Sequence, residues 1–588
     1  MTTPPDKSNR PRLLSWRMAR IATIGLACFA TFIALLYAEE DWRGKRAWED
    51  CKRRLEAKGI EFDWSKFIPP PVPDDENFFK APGIVETDWV GRGPRDLSKR
   101  VEKAMSLEGR DSNSVLIAEI IVGPPGDSGQ ALRLEDTNTR AAIRKLVSGA
   151  TGPMLIAPRE FPLLARLPAE IHPVRIVISA SQPPTTNILA GFFTSAGGAT
   201  HEGPACISVQ PGEGQSFRLT FSSPAETAED FLARTDSLEP EFDAVRAALK
   251  RPYARMDGDY TQPYLLPIPD FVTERAVAQL LATRVECHLL LNHPEEAARD
   301  ATLLHDMCGP LEAKPTGPMT LIAAMINVAV SGLYADTIGD GLRLRAWHEP
   351  QLAALEEQLA RTDLIPIASQ SFESEHASTP MTLENTDPAA VYKASQAMNH
   401  EKATWRGMLT DPLYGFWAYA PRGWIYQNMA HTAMLSPASK VGDAASGLIM
   451  PELAARLGEE LKSFSKWSPY SHLDAIFIPN FTRAWETVAR NQTVVNEALV
   501  ACALERYRLA HGDYPETLAA LAPQFLDKIP RDVIGGQPLH YRRHSDGTFL
   551  LYSIGWNEKD DGGQILPDIR DGQSLDSGDW VWEPGLAR

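Results

Sequence analysis

The chain is poor in the features that mark nucleic-acid binders and most metal or nucleotide enzymes. Basic charge is in deficit: 59 Lys and Arg stand against 76 Asp and Glu, a net charge of −17 over 588 residues. Five of the cations, Lys7, Arg10, Arg12, Arg17 and Arg20, fall within the first 38 residues with only Asp6 against them, a local +4 that leaves −21 for the rest. Affinity for nucleic acid comes largely from clustered Lys and Arg that displace counterions, so the acidic body excludes nucleic acid as a partner. The middle of the chain has no HExxH, no GxxxxGK and no Gly-rich strand-to-helix turn. Cysteine is scarce as well. Cys28 lies in an apolar run, and Cys51, Cys206, Cys287, Cys308 and Cys502 form an odd set at scattered spacing, which excludes a disulfide framework and leaves room for one bridge.

What is present indicates a multidomain chain, mainly α with α+β parts. With 44% hydrophobic and 23% charged residues it can bury sizeable cores in about three to four domains. The 46 prolines exceed the 40 glycines, and several sit in joints such as FIPPPVPDDE. Residues 21–38, IATIGLACFATFIALLYA, are uncharged and apolar, at the short end of the roughly 17 to 25 residues that span a bilayer. Basic residues precede this run and Glu39, Glu40 and Asp41 follow it. The positive-inside bias therefore places residues 1–20 in the cytoplasm, 21–38 as a single transmembrane anchor in the inner membrane, and the body in the periplasm or outside. The alternative is a cleaved signal peptide, for which LLYAEE offers a weak small-residue site; GLAC lacks the leucine expected before a lipidated cysteine. Residues 39–84 read as a charged amphipathic stalk ending at Gly59 and a polyproline-like linker, IPPPVPDDENF, holding the body off the lipid.

Residues 85–224 read as a small mixed α/β domain. SVLIAEIIVG, VRIVISAS, ILAGFFTS, CISVQ and FRLTFSS have strand length and TRAAIRKLVSGA is helical. PGDSGQ, around Ser128, imitates the nucleophile motif of trypsin-like proteases, but the first histidine, His172, comes after it, so a turn is the expectation.

Residues 225–480 carry helical periodicity. TERAVAQLLATRVECHLLL and NHPEEAARDATLLHDMCG predict two helices with Pro294 and Glu295 in the first turn of the second, and with Leu280 and Leu303 buried between them. EEAARDATLL resembles a tetratricopeptide-type hairpin, with Asn292 where that family has a turn glycine; no 34-residue repeat accompanies it. LIAAMINVAVSGLYA is too short and polar for a second span and reads as a buried helix. Cys287, His288, His293, His305 and Cys308 are zinc-type residues whose hairpin placement keeps them from converging. SFSK, from Ser463 to Lys466, matches Ser-x-x-Lys without the accompanying lactamase motifs. Glu373, Glu375 and His376, in FESEHASTP, could supply acid and base groups, read either as a solvated polar turn or as part of a dispersed hydrolase site.

From Asn491, apolar positions at Val495, Leu499, Cys502 and Leu509 predict a helix ended by Gly512 and Pro515, followed by a short helix and a hairpin of QPLHYRR and TFLLYSIG. The pieces ALERYRLAHGDYP, KIPRDVIGGQPLHYR, LLYSIGWNEK and the closing DI and GDW, in this order, resemble the periplasmic domain of the major pseudopilin of type II secretion systems. The resemblance covers about 100 residues, within a module of residues 481–588. It implies that the loop after the second hairpin strand binds calcium. Ser553, Gly555, Asn557 and Lys559 match the run entering that loop and Asp568, Ile569 and Trp580 its end, with Asp560 and Asp561 as further oxygen donors. The candidate calcium set is thus Ser553, Asn557, Asp560, Asp561 and Asp568, against a metal-free Asp/Gly turn. A pseudopilin carries its module directly on a membrane helix with a glutamate just inside it; here that glutamate is missing and the module stands far from the anchor. The whole layout also resembles a group of bacterial membrane-anchored envelope proteins. The expected function is therefore non-catalytic assembly or binding of envelope protein partners, linked to secretion or pilus-like systems, with an extracytoplasmic hydrolase as the alternative.

Overall fold

The computed structural model describes residues 16–86, 97–105, 115–122, 173–180, 188–190, 208–211, 216–222, 225–261, 263, 266, 268–312, 320–385, 420–434, 436–462, 468–471, 481–545, 547–563 and 578–582. TRAAIRKLVSGA, Ser128, His172, Cys206, Ser463 to Lys466, Asp568 and Ile569 lie outside them. The protein is mainly helical, with small sheets. In chain order the helices are α1 (Trp16–Glu56), α2 (Pro82–Val85), α3 (Leu97–Met105), α4 (Ala228–Thr235), α5 (Glu239–Ala248), α6 (Phe271–Leu290), α7 (Pro294–Asp306), α8 (Cys308–Leu311), α9 (Leu321–Arg343), α10 (Glu349–Arg361), α11 (Leu364–Asn385), α12 (Arg422–Met434), α13 (Pro451–Lys462) and α14 (Phe481–His511). By packing the chain forms two units, one of residues 1–62, 376–436 and 459–479 and one of residues 63–375, 437–458 and 480–588.

In the first unit the apolar run and the stalk are one continuous helix, α1. It is long and apolar enough to cross a membrane, and none of its apolar window is buried. It stops where the sequence predicts: Gly59 has φ +81°, and the Ile60 N–H bonds the Leu55 carbonyl at 3.1 Å, a left-handed cap natural to glycine. Beyond the apolar run α12 lies along α1, with Trp48, Cys51 and Leu55 buried against Ile425, Met429 and Ala433. Gly44 meets Gly423, and seven residues further along both helices Cys51 Sγ donates to the Ala430 carbonyl, so the helices run parallel. A Cβ on Gly44 would sit 2.1 Å from the Gly423 oxygen, and one on Gly423 would sit 1.9 Å from the Glu40 oxygen, so the crossing requires both glycines.

The second unit has a core that draws on segments far apart in sequence. Phe78, Leu97 and Val101 share one cluster with Leu280, Leu303, Tyr334, Leu355, Val495 and Leu551. The stretch read as a linker is packed from Trp64 onward. Trp64 Nε1 donates to the Tyr260 carbonyl at 2.7 Å, Asn77 Nδ2 to the Arg255 carbonyl at 2.6 Å, and Phe78 and Ile84 are each 1% exposed. The aromatic residues after the prolines bury enough apolar surface to hold the segment down. Pro73 itself is extended, at φ −60° and ψ 140°.

Helices α6 and α7 form the expected hairpin. Asp270 caps α6 on the Val272 and Thr273 amides, Pro294 opens α7, and Asn292 takes the left-handed turn at φ +58°, a conformation asparagine tolerates better than most side chains. Leu280 and Leu303 are buried. Helix α9 passes the same length and hydropathy test as α1, but 61% of its apolar window is buried within the protein; it is a core helix. Helix α14 starts ten residues earlier than Asn491 and lies against α9 and α10. Val495, Val500, Ala501, Cys502, Ala503 and Leu504 are all buried along it, whereas Leu509, expected on the apolar face, is 48% exposed. Leu509 lies in the last turn of α14.

Strands β1 (Val115–Val122), β2 (Pro173–Ala180), β4 (Ser208–Pro211) and β5 (Ser216–Ser222) form an antiparallel sheet in the order β2-β1-β5-β4, while β3 (Ile188–Ala190) pairs with β6 (Ala225–Thr227). A short pair, β7 (Gly442–Asp443) and β8 (Leu448–Ile449), follows. At the C-terminal end β9 (His540–Arg543), β10 (Phe549–Ser553) and β11 (Trp580–Trp582) form a sheet in the order β11-β10-β9. The first two are the predicted hairpin; the predicted short helix is a single 3₁₀ turn, Leu518–Leu521.

Candidate functional site

The loop leaving β10 is built on two buried acids. Asp532 is 2% exposed. Its carboxylate accepts from the Ile534 amide at 2.9 Å, the Ser553 hydroxyl at 2.9 Å and the Ile554 amide at 3.0 Å, tying the 528–538 segment to the end of β10. Asp579 is fully buried and accepts from the Asp561 amide at 3.1 Å and the Gly563 amide at 2.6 Å, closing the loop onto β11. Burial pushes the Asp579 carboxyl above its ordinary pKa, against the two amides. Gly555 makes the turn possible: its φ is +68°, and a Cβ there would lie 2.3 Å from the Gly578 oxygen.

The residues singled out in the sequence occupy this loop unevenly. Ser553 Oγ is spent on Asp532 and on the Gly555 amide, at 3.2 Å. Asn557 Nδ2 donates to Asp561 Oδ2 at 2.8 Å, and Asn557 Oδ1 accepts from the Lys559 amide at 3.0 Å. Asp560 Oδ1 accepts from the Tyr552 hydroxyl at 3.0 Å and the Gly562 amide at 2.9 Å, and these donors, the amide first, hold Asp560 below the usual carboxylate range. Its Oδ2 faces His540 Nδ1 at 3.6 Å. Asn557, Asp560 and Asp561 thus stand in one loop, Ser553 faces Asp532, and Asp568 lies outside the described residues. The donors are all oxygens, as calcium prefers. As folded, most of them accept hydrogen bonds from the protein, and no group of three or more His, Cys, Asp or Glu among the described residues is arranged to hold a metal. Asp532 lies within KIPRDVIGGQPLHYR and Asp579 is the acid of GDW, yet neither shows its anchoring role in the sequence, because an isolated acid gives no sign of which amides will fold onto it.

Glu373 and Glu375 of the acid–base grouping point to different faces of one helix. Glu373 and Glu375 are two positions apart on α11, about 200° around the helix. Glu373 is exposed, while Glu375 Oε1 accepts from the Leu321 amide at 3.0 Å in the first turn of α9. Burial raises the Glu375 carboxyl pKa and the Leu321 amide opposes the shift. A carboxylate at a helix N-terminus completes donors the helix leaves open, a structural task. His376 is buried and belongs to the other unit.

The zinc-type residues form no group of three or more that could hold a metal among the described residues. Cys308 Sγ lies 3.6 Å from Ser331 Oγ, His305 packs on the Tyr334 ring, and His288 Nε2 is 3.8 Å from Asp300. Asp300 instead anchors a buried ion-pair network that sequence reasoning missed: Arg284 Nε at 2.8 Å and Arg246 at 3.0 Å, with Arg284 also reaching Thr235 at 2.8 Å. Beside it an open cleft of about 330 Å³ is lined by Arg246, Arg299, Glu295, Asp306 and Leu303 among others. Its cations are already paired, Arg246 and Arg299 both with Glu239 and Asp243. No family model, curated protein or solved structure matches the chain.

Proposed function

We propose that the chain is a single-pass protein of the inner membrane that displays a non-catalytic body in the periplasm for assembly with envelope protein partners. The observation that carries this reading is α1: one unbroken helix whose apolar half is exposed and whose polar half is packed against α12. Exposing so large an apolar surface to water is unfavourable, and lipid is the solvent that suits it. The basic residues before the run favour an N-terminus inside. Fused after Arg588, alkaline phosphatase should be active and a cytoplasm-only reporter silent; the reverse pattern rejects the topology. Cross-linking in intact cells, followed by capture of the full chain and mass spectrometry, should recover envelope proteins reproducibly.

The C-terminal helix, hairpin and acidic loop support a pseudopilin-like reading of that end, and with it calcium. We infer that calcium exchanges the loop's own hydrogen bonds for ligation by Asn557, Asp560, Asp561 and Asp568. The full-length protein should then melt higher in millimolar calcium than in chelator, by about 2.7 kcal/mol at one hundred times Kd, and Asp561→Ala with Asp568→Ala should remove the difference. Coincident melting curves remove calcium from the reading.

A further inference from the structure

The first polar turn after the apolar run is a lock. Glu40, on the very face of α1 that enters the protein, is 9% exposed. Its carboxylate accepts from Arg43 at 2.7 and 2.8 Å, from Trp424 Nε1 at 3.1 Å and from the Tyr470 hydroxyl at 3.2 Å. One residue on, Asp41 Oδ1 accepts the Gly423 amide at 2.7 Å, serving a donor that the start of α12 leaves open. Asn428 and His431 of α12 hold the Pro469 and Tyr470 carbonyls at 2.8 Å each, so the Tyr470 turn is fixed to the same end.

The apolar run sets the height of this lock above the lipid. With a rise of about 1.5 Å per residue, residues 40–44 stand roughly 3 to 9 Å beyond Ala38, and the headgroup layer is about 5 to 7 Å deep on each side of the hydrocarbon. The beginning of α12 is pinned at that height, and because the helices run parallel the rest of α12 climbs away from it. Several of the side chains at that height suit headgroups, beside the exposed acid Glu39. Trp42 is 63% exposed, Arg46 lies over its ring, and Arg422 is exposed, with Arg43 and Trp424 alongside. Indole rings favour the membrane–water interface, and guanidinium groups pair with phosphate.

We propose that this end of the helix pair is a lipid-contacting surface, with Trp42, Arg43, Arg422 and Trp424 seated in the phospholipid headgroup layer and Glu40 locking α12 there. The inference rests on the anchor reading of α1. The full chain, reconstituted in phosphatidylethanolamine/phosphatidylglycerol vesicles, would carry a spin-labelled amino acid at Leu35, Arg422 or Met434 in turn. Collision with oxygen, which partitions into lipid, is compared with collision with a water-soluble nickel chelate. The oxygen-to-nickel ratio at Arg422 should lie several-fold above that at Met434, about 18 Å higher on α12, and below that at Leu35. Glu40→Ala should lower the Arg422 ratio toward that of Met434 and leave Leu35 unchanged, with Glu40→Gln intermediate. A wild-type Arg422 ratio equal to that of Met434, with Leu35 in lipid, overturns the lipid-contact surface and leaves the anchor standing. A Leu35 ratio equal to that of Met434 overturns the anchor itself.

Discussion

Asp579 illustrates how one side chain fixes a loop that sequence alone leaves open. Its two oxygens take the Asp561 and Gly563 amides, so Asp579→Asn must set an amide donor against one of those N–H groups. The expected loss is about 1 to 3 kcal/mol, the cost of a buried donor left unsatisfied, read as a lower urea midpoint of the full chain. The pH dependence has a definite sign. The folded pKa is raised, so this group's contribution is fully present below the unfolded value and is lost as pH rises through the folded one. The difference between wild type and Asp579→Asn should therefore be largest at the acid end and narrow toward neutrality; a difference that widens with pH contradicts the assignment. The acids visible in the sequence, Asp560 and Asp561, were read correctly as loop residues. Asp532, Asp579 and Glu40 were not legible as anchoring groups, because a buried acid differs from a solvated one only in the partners that tertiary structure brings to it.

Elements with strong local patterns were the legible part of the fold. The α6–α7 hairpin follows from its caps, its Pro294 and an asparagine able to take positive φ, and it buries Leu303 at 2% exposure. Leu303→Ala should cost about 2 to 5 kcal/mol as a large-to-small core change, and an unchanged unfolding curve would count against the packing. β11 was missed because three residues far along the chain from β10 carry no periodicity of their own. The α1–α12 pair was missed for the same reason, since Gly44 and Gly423 acquire meaning only when they meet. That crossing is testable through Cys51, which is 3% exposed beneath it. Gly44→Ala must push the Gly423 backbone away, so Cys51 should react with maleimide much faster than in wild type. Peptide-resolved mass spectrometry reads this directly, with Cys287 and Cys502 as unreactive buried controls. Equal labelling of Cys51 in both proteins rejects the glycine contact.

At the scale of the molecule, chain order and packing order diverge. The sequence suggests a separate module from residue 481, at the start of α14, yet α14 packs against α9 and α10 and shares their core. Gly332 on α9 lies so close to Asn491 that a Cβ would sit 1.8 Å from its side-chain oxygen. Arg506 pairs with Glu349 and Glu356 of α10, each at 2.9 Å. Composition cannot reveal this, because a helix apolar on several faces reads the same whether its cover comes from its own module or from residues 150 positions upstream. Excising residues 491–588 uncovers Val500, Ala501 and Leu504, all within 2% of full burial in the intact chain. At about 25 cal/mol per Å² of apolar surface, losing that burial exceeds what a three-stranded sheet with one helix can spare. The excised segment should show weak helical circular dichroism and no cooperative thermal transition, whereas the intact chain unfolds cooperatively; a sharp transition in the excised segment would mean that α9 and α10 are dispensable and that the C-terminal module folds alone.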